Sequence, residues 1–349
     1  MLRKALGKTG RVLYDLGPGL IYAGVIAIAA QYIGGKLPIL GAPVSAIIIG
    51  AILGNVIGKP AHASAGTSFT SKKILQWSII LIGSGLSLSQ VFTTGKQSFL
   101  IMLVTLSVAF ISALLVGRLL RIPGKLTVLI GAGTGICGGS AIAAVSPIIE
   151  ADEVQIAYSM STIFLFNVVA VVIFPLFGKM LGFSNSAFGM WAGTAINDTS
   201  SVVAAGYAFS NAAGEFATIV KLTRSTMIIP IALFIALAVA SRKRREHIAG
   251  GGDGVGAAHF SLARIFPWFI LWFLVMSLLH TINLLPAPLV LWLVGAGKFM
   301  IVMALAAIGL NADFRKVMSA GHKPLLLGLI VWASVALSSL LIQRLTGFS

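Results

Sequence analysis

Long apolar stretches, broken by short clusters of glycine, proline and charge, make up most of this chain. Runs of spanning length fall at about 18–35, 43–58, 74–92, 98–117, 126–149, 156–181, 189–210, 216–240, 265–282, 289–311 and 324–343, each near the ~20 residues a helix needs to cross a bilayer. The pattern predicts an all-α polytopic membrane protein with about 9–11 transmembrane helices.

Composition agrees. Of 349 residues, 58% are hydrophobic and 10% charged, and mean hydropathy is +1.00. Soluble domains carry about 25% charged residues, so a water-soluble globule is excluded, as is a disordered chain of low hydrophobicity. The 39 glycines point to close helix packing and discontinuous helices.

Twenty-five basic residues against nine acidic ones give a net charge of +16. Topology accounts for that excess, because Lys and Arg collect in cytoplasmic loops. In an eleven-span arrangement 18 of the 25 basic residues share one side. They are Arg3, Lys4, Lys8 and Arg11; Lys59, Lys72 and Lys73; Arg118, Arg121 and Lys125; Arg242, Lys243, Arg244, Arg245 and Arg264; and Arg315, Lys316 and Lys323. The N-terminus is then expected in the cytoplasm and the C-terminus outside. No basic stretch is interleaved with stacking aromatics, so nucleic acid is not an expected partner. The first apolar run lacks a small-residue cleavage site and reads as a retained span. Residues 242–261, a basic run followed by Gly-rich sequence, read as a solvated cytoplasmic linker. It separates an N-terminal membrane half (1–241) from C-terminal hairpins (262–349) within one integral-membrane unit.

Two internal similarities matter more. AGTGICGGSAIAAVS (Ala132–Ser146) matches AGTAINDTSSVVAAG (Ala192–Gly206) without gaps. IGSGLSLSQVFTTG (Ile82–Gly95) and AAIGLNADFRKVMSAG (Ala306–Gly321) form a weaker pair, one ending an outward span and the other an inward one. Inverted repeats with discontinuous helices mark secondary transporters. Whether 126–149 and 189–210 span fully or re-enter as opposed hairpins stays open. Glu150, Asp152 and Glu153 lie outside under eleven spans, but inside under nine spans plus two hairpins.

The candidate chemistry follows from these segments. Five glycines in Gly131–Ala141 disfavour a continuous helix by about 1 kcal/mol each. Irregular backbone at membrane depth persists only where it is buried or lines a cavity. Gly133, Thr134, Gly135, Gly138, Gly139 and Ser140 are therefore binding candidates, against a plain packing surface of small residues. The twin segment contributes Asn197, Asp198, Thr199 and Ser200. An ionisable Asp198 at depth suggests function, against a simple helix N-cap. Lys221 and Arg224 share one helical face and suit an oxyanion, against snorkelling to the headgroups. No catalytic constellation, cofactor loop or metal-ligand spacing is present, so neither enzyme activity nor a cofactor is expected. Cys137 is expected to pack rather than react.

GAGTGICGGSAIAAVSPII, GTAINDTSSVVAAGYAFS, KLTRSTMIIP and AAIGLNADFRKVMSAGHKPL, in that order, resemble the YeiH-type bacterial inner-membrane proteins over nearly the whole chain. That resemblance implies a family labelled as sulfate exporters, and a fold related to the sodium–proton antiporter and bile-acid symporter type. Family members commonly carry His at the position of Asn197 and Gln at that of Ser201, so no titrating imidazole carries over. The expected function is secondary transport of a small oxyanion, sulfate- or sulfite-like. A cation/proton antiporter centred on Asp198 and a non-transporting membrane receptor or scaffold are the alternatives. Expected partners are a small anionic substrate, the bilayer and, as an option, a second copy in a homodimer.

Overall fold

Chain reversals come where glycine and capping residues interrupt the apolar runs, and their positions decide which runs cross the bilayer. The structure is a computed structural model, describing residues 8–36, 41–58, 60–249, 267–313, 315 and 321–348. Arg3, Lys4, Lys59, Arg264, Lys316 and linker residues 250–261 lie outside the described residues. All regular structure among the described residues is helical: α1 (Lys8–Lys36), α2 (Gly41–Ile52), α3 (Ser64–Phe69), α4 (Leu75–Gly83), α5 (Leu88–Leu119), α6 (Gly124–Gly135), α7 (Gly139–Val145), α8 (Glu153–Met180), α9 (Asn185–Ala195), α10 (Thr199–Phe209), α11 (Asn211–Thr226), α12 (Ile228–Ala249), α13 (Trp268–Thr281), α14 (Ala287–Asn311) and α15 (His322–Leu345). A π-helical turn extends α2 over Leu53–Gly58, and another joins α3 to α4 over Thr70–Ile74. Among the described residues, seven helices are long and apolar enough to cross a membrane, and α13 is a shorter apolar helix. The chain is therefore an all-α polytopic membrane protein.

Three sequence boundaries move. The run drawn at 74–92 contains a reversal: α4 ends at Gly83, and Ser87 opens α5 with a capping box in which Ser87 and Gln90 each satisfy the other's backbone N–H. That exchange stops one helix and starts the next. The helix entering the reversal begins at Ser64, earlier than the hydropathy suggested, because exposed Lys72 and Lys73 ride on its π-helical turn. The expected linker also starts later, since the helix runs on through 242–249. Arg and Lys are good helix formers and suit a helix C-terminus.

Of the two alternatives open for 126–149 and 189–210, the chain adopts the hairpins: each run is two helices that fold back on one another. The Ser210 hydroxyl donates to Asn185 Oδ1 at 2.6 Å, and the Phe188 and Phe209 rings stack with centroids 4.1 Å apart. A continuous helix over that distance would hold its ends about 39 Å apart. The first hairpin closes likewise, with Lys125 Nζ donating to the Glu150 carbonyl at 2.7 Å. The acidic patch thus lies beside Lys125, at the Arg118 and Arg121 end.

Between the hairpin bases runs α8, 28 residues long and so about 42 Å from end to end. Ile156 and Ile163 in its first half pack with the first hairpin, and Ala170 and Phe174 in its second half with the second. The hairpins therefore enter from opposite ends and meet tip to tip.

Two helix bundles result. One gathers α1–α4, α13 and α14; the other gathers α5–α12 and α15 around the hairpins. Helices from before and after 242–261 occur in both. The first bundle is held backbone to backbone: a Cβ at Gly50 would lie 2.3 Å from the Ala306 carbonyl oxygen, and one at Gly309 would lie 2.3 Å from that of Ile47. Contact between the bundles is sparser, mainly α10 against α2 and α14 and α5 against α13. The hairpin geometry predicts that cysteines at Glu150 and at Arg118, in a Cys137→Ala background, react with an impermeant maleimide from one side of the membrane. A cysteine at Ser184 reacts from the other. Labelling of Glu150 and Ser184 from the same side would rule out opposed hairpins.

Candidate functional site

Each hairpin tip is a helix that stops inside the protein, leaving carbonyls that no further turn can satisfy. In the first, α6 ends at Gly135, Ile136 leaves helical geometry (φ −115°, ψ −87°), and Gly138 turns the chain at φ +64° before α7. Positive φ favours glycine there. Crowding reinforces the choice, since a Cβ on Gly138 would sit 3.2 Å from Asp198 Cβ. In the second, α9 ends at Ala195 and Ile196 is extended (φ −81°, ψ 137°). Asp198 then caps α10, accepting from the Ser200 N–H at 3.1 Å and from the Ser200 hydroxyl.

Lys221 and Arg224 on α11 close both tips. Both side chains are fully buried, at 0% exposure, so neither snorkels. The Lys221 ammonium donates to Ile136 O at 2.8 Å and Ile196 O at 3.0 Å. The Arg224 guanidinium donates from Nε to Gly135 O at 2.7 Å, from Nη2 to Thr134 O at 2.8 Å, and from Nη1 to Thr194 O. Every acceptor belongs to the last turn of a half-helix or to its break, where the helix dipole is negative. Neither cation makes an ion pair with a described residue; the Asp198 carboxylate is turned instead to Ser200.

The structure brings Thr134, Gly135, Gly138, Asn197, Asp198, Lys221 and Arg224 together. Thr199 and Ser200 form the first turn of α10 beside them and are buried. Gly133 faces elsewhere: a Cβ there would press on Ile163 of α8 and Ile142 of α7, so its role is packing of the hairpin arms against each other and α8. Gly139 lies against Met160, and Ser140 is exposed on α7. Cys137 is buried as a free thiol in the apolar cluster of the first hairpin. Among the described residues, no group of three or more His, Cys, Asp or Glu is placed to hold a metal ion.

Two polar groups at this junction have no partner. The Asn197 side chain is fully buried with both its amide nitrogen and its oxygen unbonded, and the buried Thr134 hydroxyl is likewise unbonded. Such groups cost about 1–3 kcal/mol each and call for a reason. Supporting residues escaped the sequence reading. Asn167 Oδ1 accepts from the Asp198 N–H at 3.0 Å; Ser339 shares a 2.7 Å hydrogen bond with Thr194; and Trp191 donates to Ala336 O at 3.1 Å. A lone amide in the apolar run FLFNVVAVV was a usable signal for Asn167. Ser339 offered none.

Two variants separate capping from ion pairing. Arg224→Met orphans three buried carbonyls and is expected to destabilise the detergent-purified protein by about 3 kcal/mol or more. Asp198→Asn keeps a good N-cap and should cost less than about 1 kcal/mol. Thermal unfolding of the two proteins side by side measures the difference. Equal losses would mean that Asp198 is the main counter-charge.

Similar proteins match this chain along nearly their whole length. The family model described as "Conserved hypothetical protein 698" matches residues 18–328. A "UPF0324 membrane protein" from Clostridium tetani is 42% identical over 334 residues, covering 94% of this chain and 97% of the relative. Another from Fusobacterium nucleatum is 40% identical, covering 94% and 98%, and one from Streptococcus pyogenes serotype M18 is 43% identical, covering 95% and 97%. The chain belongs to this UPF0324, or YeiH-type, family of membrane proteins.

Proposed function

We propose that the protein is a secondary transporter, not an enzyme, and that it carries a small oxyanion of the sulfate or sulfite type, bound where the two hairpin tips meet. The observation that carries this reading is the pair of unpartnered buried groups, Asn197 and Thr134, beside two buried cations with no neighbouring acid in an ion pair. An oxyanion accepts hydrogen bonds from an amide, a hydroxyl and cationic N–H groups alike. Of the ammonium's three N–H groups two are used, and of the guanidinium's five three are used. The charges therefore retain donors for a ligand while they cap the tips. Opposed discontinuous segments meeting within the membrane suit the inverted-repeat transporter architecture, with the hairpin bundle moving against the other. Asp198 gates or couples at the tip. In this reading the protein sits in the bacterial inner membrane with its N-terminus in the cytoplasm and its C-terminus outside, and a homodimer is compatible.

The second reading, a cation/proton antiporter, draws on Asp198 being half-buried at the tip beside Gly138. A receptor or scaffold moves nothing. Proteoliposomes separate the three: radiolabelled sulfate counterflow supports the first, sodium-driven pH change the second, and neither flux the third. Within the first, Asn197→Leu is the sharpest variant. It removes an unsatisfied buried amide, so the melting temperature should hold or rise, while counterflow falls to background. Full counterflow in that variant would place the substrate elsewhere.

A further inference from the structure

The seam between the bundles holds a second feature, on the opposite side of α11 from the hairpin tips. A cavity of about 490 Å³ lies between α5, α11 and α13. Its inner wall is apolar, with Leu222, Phe273 and Leu274, and its polar residues are Lys96, Thr223 and Thr226. No Asp or Glu lines it. The two threonine hydroxyls already donate to main-chain carbonyls of their own helix, so the one positive group left to meet a ligand is the Lys96 ammonium. Lys96 is exposed and makes no hydrogen bond or ion pair with any described residue.

Depth narrows the ligand. The capping box fixes the start of α5 at Leu88, and Lys96 follows eight residues later, about 12 Å along the axis. With 32 residues, α5 is about 48 Å long, roughly 18 Å more than the hydrocarbon layer is thick. Shared between its ends, that excess puts Lys96 near the boundary between headgroups and acyl chains. The cavity straddles that level on α5, with Val91 and Phe92 towards the helix start and Phe99 deeper.

A volume of this order suits one small amphiphile, and an exposed, unpaired cation on its α5 wall asks for a single negative head. We propose that this cavity holds an acyl chain of an anionic glycerophospholipid, whose phosphate pairs with Lys96. The lipid would then stand in the seam along which the two bundles meet, and membrane composition would bear on how they sit together.

The test uses the full chain purified in detergent, titrated by native mass spectrometry with dioleoylphosphatidylglycerol and with dioleoylphosphatidylcholine. These share acyl chains and differ in net charge. The expected result is one saturable phosphatidylglycerol per chain, with weak phosphatidylcholine binding. Lys96→Gln should weaken the phosphatidylglycerol affinity about tenfold, Lys96→Arg should retain it, and Lys72→Gln, at another exposed lysine, should leave it unchanged. Leu274→Trp, which fills the inner cavity, should also weaken it. Equal affinity for both lipids, equal losses in Lys96→Gln and Lys72→Gln, or full binding by Leu274→Trp would overturn the proposal. None of these readouts requires transport, so the outcome is independent of the substrate site.

Discussion

Carbonyl oxygens stranded within the membrane set the terms for the rest of this fold. Water cannot solvate the end of a half-helix there, and each orphaned group costs several kcal/mol in hydrocarbon. Here two such ends are brought together, and two cations one turn apart on α11 serve both. The close approach of α9 and α10 to α11 follows from that requirement. So does the burial of a lysine and an arginine with no acid in an ion pair, since partial negative charge from both tips replaces a carboxylate.

That arrangement gives the hairpin bundle a centre that is polar and positive, with its stranded carbonyls bonded and with donors left over on Lys221, Arg224, Asn197 and Thr134. The bundle of α1–α4, α13 and α14 is built differently, with glycine contacts that bring α2 and α14 backbone to backbone. A polar junction held by directional bonds faces a stiff apolar panel. Between them the packing is thinner, and the cavity at Lys96 lies in that thinner zone.

Much of this was legible in the residues. Hydropathy located the apolar segments, and the twin Ala-Gly-Thr sequences marked both tips. Lys221 and Arg224 declared themselves as ionisable residues at depth, and their shared helical face was correct. Composition could not tell a span from a hairpin, because both are apolar over about twenty residues; the Asn185–Ser210 closure is a tertiary contact. Spacing also could not reveal what the cations meet, because their acceptors are main-chain oxygens present at every residue. Ser87 and Gln90 did carry a capping-box signature, which hydropathy averaged over.

Order of synthesis adds a consequence. Both hairpins precede α11 in the chain, so Thr134, Gly135 and Thr194 emerge from the ribosome well before Lys221 and Arg224 exist to bond them. The re-entrant tips cannot take their final form as they are made. They must wait, shielded or still hydrated, until residue 224 arrives, and Ser339 on α15 braces the second tip only near the end of translation. The centre can therefore be completed only late, and an error in α11 would leave two unfinished hairpins for membrane quality control to recognise.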